Sequence, residues 1–237
     1  MNMIYKYKKN WDYLAKKNPL WAILTEKKIW EKKAFFNTGK KEINEVFNHL
    51  KQCKQKINYE KALDFGCGIG RLTQALCPMF DKVVGVDISS QMISLANKSN
   101  QFKSKCQYRL NNSIKLKQFH DGSISFIYSS ITLQHNNPKF IFNYLKEFIR
   151  ILKKGGVCVF QLPSHPANTI KGMVIRIIPS FILDHIRKME MHGIGKDNIV
   201  AFLLKNKLKI ILVKEELKKK NNFIGEGWVS YKYFFEK

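Results

Sequence analysis

The 237 residues are 45% hydrophobic and 25% charged, a chain long enough for one domain with a full core plus an appendage and short for two. No run of about 18 uncharged apolar residues is present, which argues against a membrane-spanning helix or stable membrane insertion. Only five of the 42 basic residues behind the +24 charge are arginines (Arg71, Arg109, Arg150, Arg176 and Arg187), whereas nucleic-acid readers favour the planar arginine fork. The excess is therefore expected to be a solvated lysine surface, with RNA, acidic lipid or an anionic substrate as the alternative partner.

Residues 1–58 predict a helical cap. Trp11, Leu14, Leu20, Ile23, Leu24, Trp30, Ala34 and Phe35 recur at helical spacing among lysines, and Ile43, Val46, Phe47 and Leu50 continue after an expected break at Asn37-Thr38-Gly39. The start of the chain lacks the apolar core and cleavage site of a signal peptide, so a cytoplasmic protein is expected. From Lys61 short strands alternate with helices: a strand at 62–65, a helix at 71–79, a strand at 82–86, a helix at 90–98, strands at 107–110 and 125–129, a helix at 139–152 and a strand at 157–162. That alternation predicts βαβ units on a parallel sheet. After Pro163 a Ser/His/Pro loop leads into an interrupted apolar stretch at 170–187, and 163–192 is expected to be a lid-like insertion. A helix at 196–204 precedes final strands at 209–213 and 228–235, with Lys218-Lys219-Lys220-Asn221-Asn222 between them as an exposed hairpin loop. Residues 59–237 would form one compact unit with the cap. The five cysteines (Cys53, Cys67, Cys77, Cys106 and Cys158) show no C-x-x-C pair and no histidine at ligand spacing, so neither a metal site nor a disulfide framework is expected.

The chemistry is concentrated in Ala62-Leu63-Asp64-Phe65-Gly66-Cys67-Gly68-Ile69-Gly70-Arg71. An apolar strand ends in an acid, passes through three glycines spaced by two and opens a helix. Glycines let the backbone turn sharply and come close to a ligand. The spacing is G-x-G-x-G after an acid, not the G-x-G-x-x-G of a nicotinamide dinucleotide site. An acid in that place suits the ammonium of an amino-acid tail better than a pyrophosphate. Seventeen residues after Gly70, Val83-Val84-Gly85-Val86-Asp87 is a second strand ending in an acid, placed to accept both hydroxyls of a ribose. A ribose, no phosphate and a zwitterionic tail describe S-adenosylmethionine.

Asp64–Gly70 with Asp87 resembles the first two motifs of class I S-adenosylmethionine-dependent methyltransferases. The resemblance continues in Asp121–Ser130, similar to the family's fourth strand, and in Leu152–Phe160, similar to its helix–Gly-Gly–strand segment, covering about residues 61–162. Trp11-Asp12-Tyr13, Asn18–Trp21, Phe35–Gly39, Met189–Gly193 and Gly227–Tyr231 look like the flanks of a bacterial subgroup that acts on small molecules or sugars. The family fold so implied is a Rossmann-like α/β sandwich, a seven-stranded sheet with helices on both faces and the last strand antiparallel between the fifth and sixth.

Roles follow from the resemblance. Gly66, Cys67, Gly68 and Gly70 would surround the methionine tail, with Asp64 near its ammonium. Asp87 would hold the ribose, and Ile88 and Met92 would flank the adenine. Where the family places an Asp against the adenine amino group this chain has Asn111-Asn112-Ser113, so Asn112 and Ser113 take that place, an Asn carbonyl being an acceptor too. Ser129 would meet the sulfonium. His135, after the fourth strand, is the candidate general base for an acceptor hydroxyl or else a residue that shapes the pocket. Glu190 and His192 would close over the acceptor or make ordinary loop contacts. The acceptor expected is a small molecule or sugar; an RNA or protein acceptor, or cofactor binding without catalysis, are the other readings.

Overall fold

A computed structural model describes residues 3–177, 189–216 and 227–237. The cap begins with α1 (Met3–Lys17) and the short α2 (Pro19–Ile23), whose first turn is closed by Asn18 accepting from the Trp21 N–H at 3.1 Å. The 21-residue α3 (Lys32–Gln52) starts where both oxygens of Glu31 accept from the Lys33 and Ala34 N–H groups at 2.8 Å. It runs unbroken through Asn37-Thr38-Gly39, where the sequence predicted an interruption. Gly39 is there for closeness instead: a Cβ on it would lie 2.4 Å from the Arg71 carbonyl oxygen, so another residue would push α3 off its neighbour.

The sheet contains β1 (Lys61–Phe65), β2 (Lys82–Asp87), β3 (Cys106–Leu110), β4 (Ile124–Ser129), β5 (Leu152–Pro166), β6 (Lys209–Glu215) and β7 (Trp228–Glu236). Their order is β3-β2-β1-β4-β5-β7-β6, with β7 antiparallel to both neighbours and the other pairs parallel, as the resemblance implied. Between the strands lie α4 (Arg71–Leu76), α5 (Ser90–Ser99), α6 (Pro138–Ile151), α7 (Ile170–Ile177) and α8 (Lys196–Lys205). The central strands are buried and mostly apolar because both faces are covered. In β4, Phe126 and Tyr128 face a core with Ile43, Val46 and Leu50 of α3 and Leu72 and Leu76 of α4. Ile124 and Ile127 face the opposite core, built on the stripe of α6 at Ile141, Leu145, Phe148 and Ile151 and on Ile199 and Leu203 of α8. Phe126, Ile127 and Tyr128 thus alternate between two cores, while Ile124, before the irregularity in the β4–β5 register, shares the core of Ile127.

β5 is longer than its apolar run, extending through Pro163 to Pro166, so the first residues of the expected lid belong to the sheet. Part of that stretch and the expected hairpin loop at 218–222 lie outside the described residues.

Candidate functional site

The parallel strands point their C-terminal ends at one rim of the sheet, and the glycine turn sits there. Gly66 has φ +78°, and a Cβ on it would lie 2.1 Å from Thr132 Cγ2. The Gly66 and Cys67 N–H groups both donate to the Val86 carbonyl, at 2.8 and 2.9 Å, fastening the turn to β2. At the far end of the turn Gly70, with φ +88°, precedes α4 and lies against the Tyr108 hydroxyl. Both positions are left-handed, where a side chain is strained.

Asp87 ends β2 beside this turn. Its Oδ2 accepts from the Gly68 N–H at 2.9 Å and its Oδ1 from the Ser89 N–H at 2.8 Å. Burial pushes its carboxyl up to about 6, against the pull of these backbone donors. Asp64 is fully buried behind the turn, its Oδ2 accepting from the Thr73 hydroxyl at 2.6 Å while its Oδ1 has no hydrogen-bond partner. Burial pushes this carboxyl up to about 7.

A cavity of about 890 Å³, counted to its open mouth, lies over the turn. It brings together many of the residues singled out from the sequence: Gly66, Cys67, Gly68, Asp87, Ile88 and Met92 line one part, and His135 another. Asp64 and Gly70 are not in its wall. Two expected positions are off by one. Asn111, not Asn112, lines the cavity, its amide donating to the Ser113 carbonyl at 2.7 Å, while Asn112 points to solvent and Ser113 stands outside the wall. Ser130, not Ser129, lines it; the Ser129 hydroxyl is buried and donates to the Phe65 carbonyl at 3.0 Å. The side chain at the end of a strand changes face with every residue, so one step in register exchanges wall for core.

The N-terminal helices were expected to cover the pocket, but the particular residues they contribute and one charged wall were not predicted. Tyr7 and Trp11 of α1 and Ile23 of α2 line the cavity, and Ile23 lies against Gly68. Arg71 also lines it. Its Nη1 donates to Glu42 Oε2 at 2.8 Å and to the Thr38 hydroxyl at 3.3 Å, and its Nε is buried without a partner. Burial alone would raise the Glu42 carboxyl, but the Arg71 and Lys232 charges and the Tyr128 and Ser130 hydroxyls hold it down at about 2. The signal for α1 was available in its lysine-flanked aromatics, Tyr7 and Trp11, one helical turn apart; nothing in the sequence marked Glu42 as the partner of Arg71.

His135 closes a one-turn 3₁₀ segment after β4 (Leu133–His135), with its ring edge-on to Trp11 at 5.2 Å. Its Nδ1–H donates to the Glu190 carbonyl at 2.6 Å, which fixes the tautomer and leaves Nε2 to accept from the Gln134 amide at 3.2 Å. Burial pushes its pKa down to about 4. The ring is therefore neutral, with both nitrogens engaged. Glu190 and His192 stand outside the described wall. The Glu190 carboxylate accepts from the Tyr7 hydroxyl at 3.0 Å, pairs with Lys6 and lies 3.3 Å from His192 Nε2. Burial would raise that carboxyl, but these partners lower it below the usual carboxylate range. Its contacts tie the segment after α7 to α1 and to His135.

A family model described as a methyltransferase domain matches residues 63–160. Over that stretch the chain is similar to a methyltransferase domain. The domain spans β1 through most of β5, the part of the fold that builds the glycine turn, Asp87 and the strand ends around the cavity. Over 119 residues the chain is 29% identical to a ubiquinone biosynthesis O-methyltransferase of Pelagibacter ubique, covering 50% of this chain and 47% of that protein. Over 124 residues it is 32% identical to phosphoethanolamine N-methyltransferase 3 of Arabidopsis thaliana, covering 52% of this chain and 24% of that one. The chain thus spans about half or less of the curated relatives it matches. The crystal structure of magnesium protoporphyrin IX methyltransferase from Synechocystis PCC 6803, with bound SAH, shares the fold at 13% identity, with a TM-score of 0.66 over 97% of both chains.

S-adenosylmethionine is the cofactor that the motif resemblance implies, and the residues present fit it. The glycine turn lines the cavity with Gly66 and Gly68, where a Cβ would collide with Thr132 or Ile23, Asp87 keeps a carboxylate at the cavity wall, and Ile88 and Met92 offer apolar contact beside it.

Proposed function

We propose that the protein is an S-adenosylmethionine-dependent methyltransferase that modifies a small-molecule acceptor by O- or N-methylation. The observation that carries this reading is one cavity containing both the glycine turn with Asp87 and, under α1, a second part with His135 and Trp11. Its wall combines apolar and aromatic side chains with a few polar groups, the usual make-up of a small-molecule site.

In this reading Asp87 accepts from the ribose hydroxyls, Ile88 and Met92 flank the adenine with Asn111 near its amino group, and Gly66, Cys67 and Gly68 line the methionine tail. Asp64 is the anion nearest the ammonium, and its unpartnered Oδ1 is an unspent acceptor. The bound cofactor supplies an electrophilic methyl on a sulfonium. The chain contributes alignment, exclusion of water and a fixed wall. The cap formed by 1–58 and the segment 163–192 cover the acceptor. His135, with both ring nitrogens engaged, positions Trp11 and the Glu190 segment. A cytoplasmic location belongs to the same reading; all five cysteines are free, as a reducing compartment keeps them.

Incubation with S-adenosylmethionine and a panel of small acceptors tests it. S-adenosylhomocysteine should form only when a suitable acceptor is present, and Asp87→Ala should lose most of that activity at low cofactor. Product formation with RNA or protein alone would replace the acceptor class proposed here.

A further inference from the structure

One acidic side chain joins the roof of the cavity to the wall that carries Asp87. Asp12 stands next to Trp11 on α1 and reaches across to the start of α5. Its Oδ1 accepts from the Ser89 hydroxyl at 2.7 Å and from the Gln91 N–H at 3.2 Å, with the Ser90 hydroxyl at 3.4 Å. Its Oδ2 pairs with Lys8, one turn earlier on α1, at 2.5 Å. Burial would raise the Asp12 carboxyl, but Lys8, the Ser89 hydroxyl and the Gln91 N–H hold it below the usual carboxylate range. An anion therefore sits where the first turn of a helix offers N–H groups without intrahelical partners.

Ser89 is fully buried and serves both sides of this joint. Its N–H donates to Asp87 Oδ1 at 2.8 Å. Its hydroxyl donates to Asp12 and accepts from the Met92 N–H at 3.1 Å, capping α5. Asp87, Ile88 and Met92 line the cavity, and so do Trp11 and Tyr7. The turn from Asp87 to Met92 is thus gripped by α1. Nearer its start α1 is fastened by Tyr7, whose hydroxyl donates to Glu190 and accepts from the Asn137 N–H at 3.1 Å.

These bonds make the place of α1 and the order of that turn one equilibrium. A ligand that fixes the turn lowers the entropy cost of fixing α1, and α1 in place slows the loss of that ligand, because coupling between two sites is reciprocal. Trp11 and Tyr7 move with α1, so their part of the wall is set in the same event.

Resting on the methyltransferase reading above, we propose that Asp12 is a positioning residue that couples the cofactor to the roof. With an S-adenosyl ligand against Asp87, the bonds from Asp12 to Ser89 and Gln91 hold α1 in place, retain the ligand and set Trp11 and Tyr7 over the cavity.

Amide hydrogen exchange and the dissociation rate of S-adenosylhomocysteine test the coupling. In the wild type, saturating S-adenosylhomocysteine should slow exchange of the α1 amides. Asp12→Ala should remove that slowing at a concentration that still fills the site, and dissociation should be at least about tenfold faster, the loss of one hydrogen bond to a charged group. Asp12→Asn, whose amide oxygen can still accept from Ser89 and Gln91, should restore most of both. Ser89→Ala removes the donor from the other side and should act in the same direction, and the two alanine changes together should cost less than their sum. Were Asp12→Ala not to fold, Ser89→Ala against the wild type decides in the same way. An acid that only stabilised the fold would lower the melting temperature and leave the ligand-dependent slowing in place. Equal slowing of α1 in Asp12→Ala and the wild type therefore overturns the proposal, as does unchanged dissociation or an Asp12→Asn as impaired as Asp12→Ala. Each of these leaves the methyltransferase reading intact; failure of S-adenosylhomocysteine to bind the wild type removes both.

Discussion

The Gly68 N–H donates to Asp87 Oδ2 at 2.9 Å, so the turn after β1 and the acid ending β2 are held as one unit. The Ser89 N–H occupies the other oxygen in the same way. Each carboxylate oxygen keeps a further lone pair for a ribose hydroxyl. Asp87→Ala should weaken cofactor binding by about 1.5–3 kcal/mol, the range for hydrogen bonds to a charged group, while the fold survives, because the side chain stands at the rim of the sheet. Cofactor affinity should also fall as the pH drops below about 6, where Asp87 takes up a proton. Titration calorimetry across pH 5–8 on both proteins checks this; unchanged affinity in the variant removes the ribose role.

Burial of Asp64 costs stability wherever its carboxyl is ionised. Its folded pKa of about 7 lies above the unfolded value, so its contribution to stability is fully present below about 3.9 and is lost as the pH rises through 7. Asp64→Asn should therefore gain on the wild type as the pH rises, by up to about 4 kcal/mol between pH 4 and pH 8, with Thr73 still able to donate to the amide oxygen. The same change should weaken the cofactor at least tenfold, since the ammonium loses its anion. Urea melts at the two pH values decide the first point; a constant difference would mean that the carboxylate is not desolvated.

For His135 the sign is reversed. Burial lowers its folded pKa to about 4, so its contribution is fully present above about 6.5 and is lost as the pH falls through that window, up to about 3 kcal/mol in all. His135→Gln should be less stable than the wild type at pH 8, and the gap should narrow toward pH 4. The kcat profile of the wild type should show no inflection near 6.5. The position of the residue after β4 suggested a base titrating there; burial against Trp11 and the hydrogen bonds to Glu190 and Gln134 remove that expectation. An inflection near 6.5 that His135→Gln abolishes would restore the catalytic role.

Gly39→Ala separates helix propensity from packing. In an isolated helix the change stabilises by about 0.5–1 kcal/mol. Here the new Cβ would meet the Arg71 carbonyl oxygen at 2.4 Å, and overpacking costs about 1–3 kcal/mol. A lowered melting temperature is expected, with a further loss in cofactor affinity as Arg71 shifts. A stabilised variant would show that α3 and α4 are not in close contact.

The glycine turn, the two strand-ending acids and the alternation of strands and helices were legible because each rests on local spacing. Gly39 was misread for the opposite reason: a glycine inside a helical pattern weakens it locally, and only the approach of α4 explains why it is kept. Asn111 and Ser130 were missed by one residue because periodicity locates a strand better than its last position. The Arg71–Glu42 pair, 29 positions apart in the chain, and the roof of Tyr7, Trp11 and Ile23 depend on how the cap folds back over the turn, which no local pattern encodes.

The central claim is that the turn and Asp87 bind an S-adenosyl ligand and not a dinucleotide. Isothermal titration of the purified protein with S-adenosylhomocysteine and, separately, with NAD tests it most directly. The account predicts one-to-one binding of S-adenosylhomocysteine at about micromolar strength, near 8 kcal/mol, and no comparable heat from NAD; tight NAD binding with silence toward S-adenosylhomocysteine would contradict it.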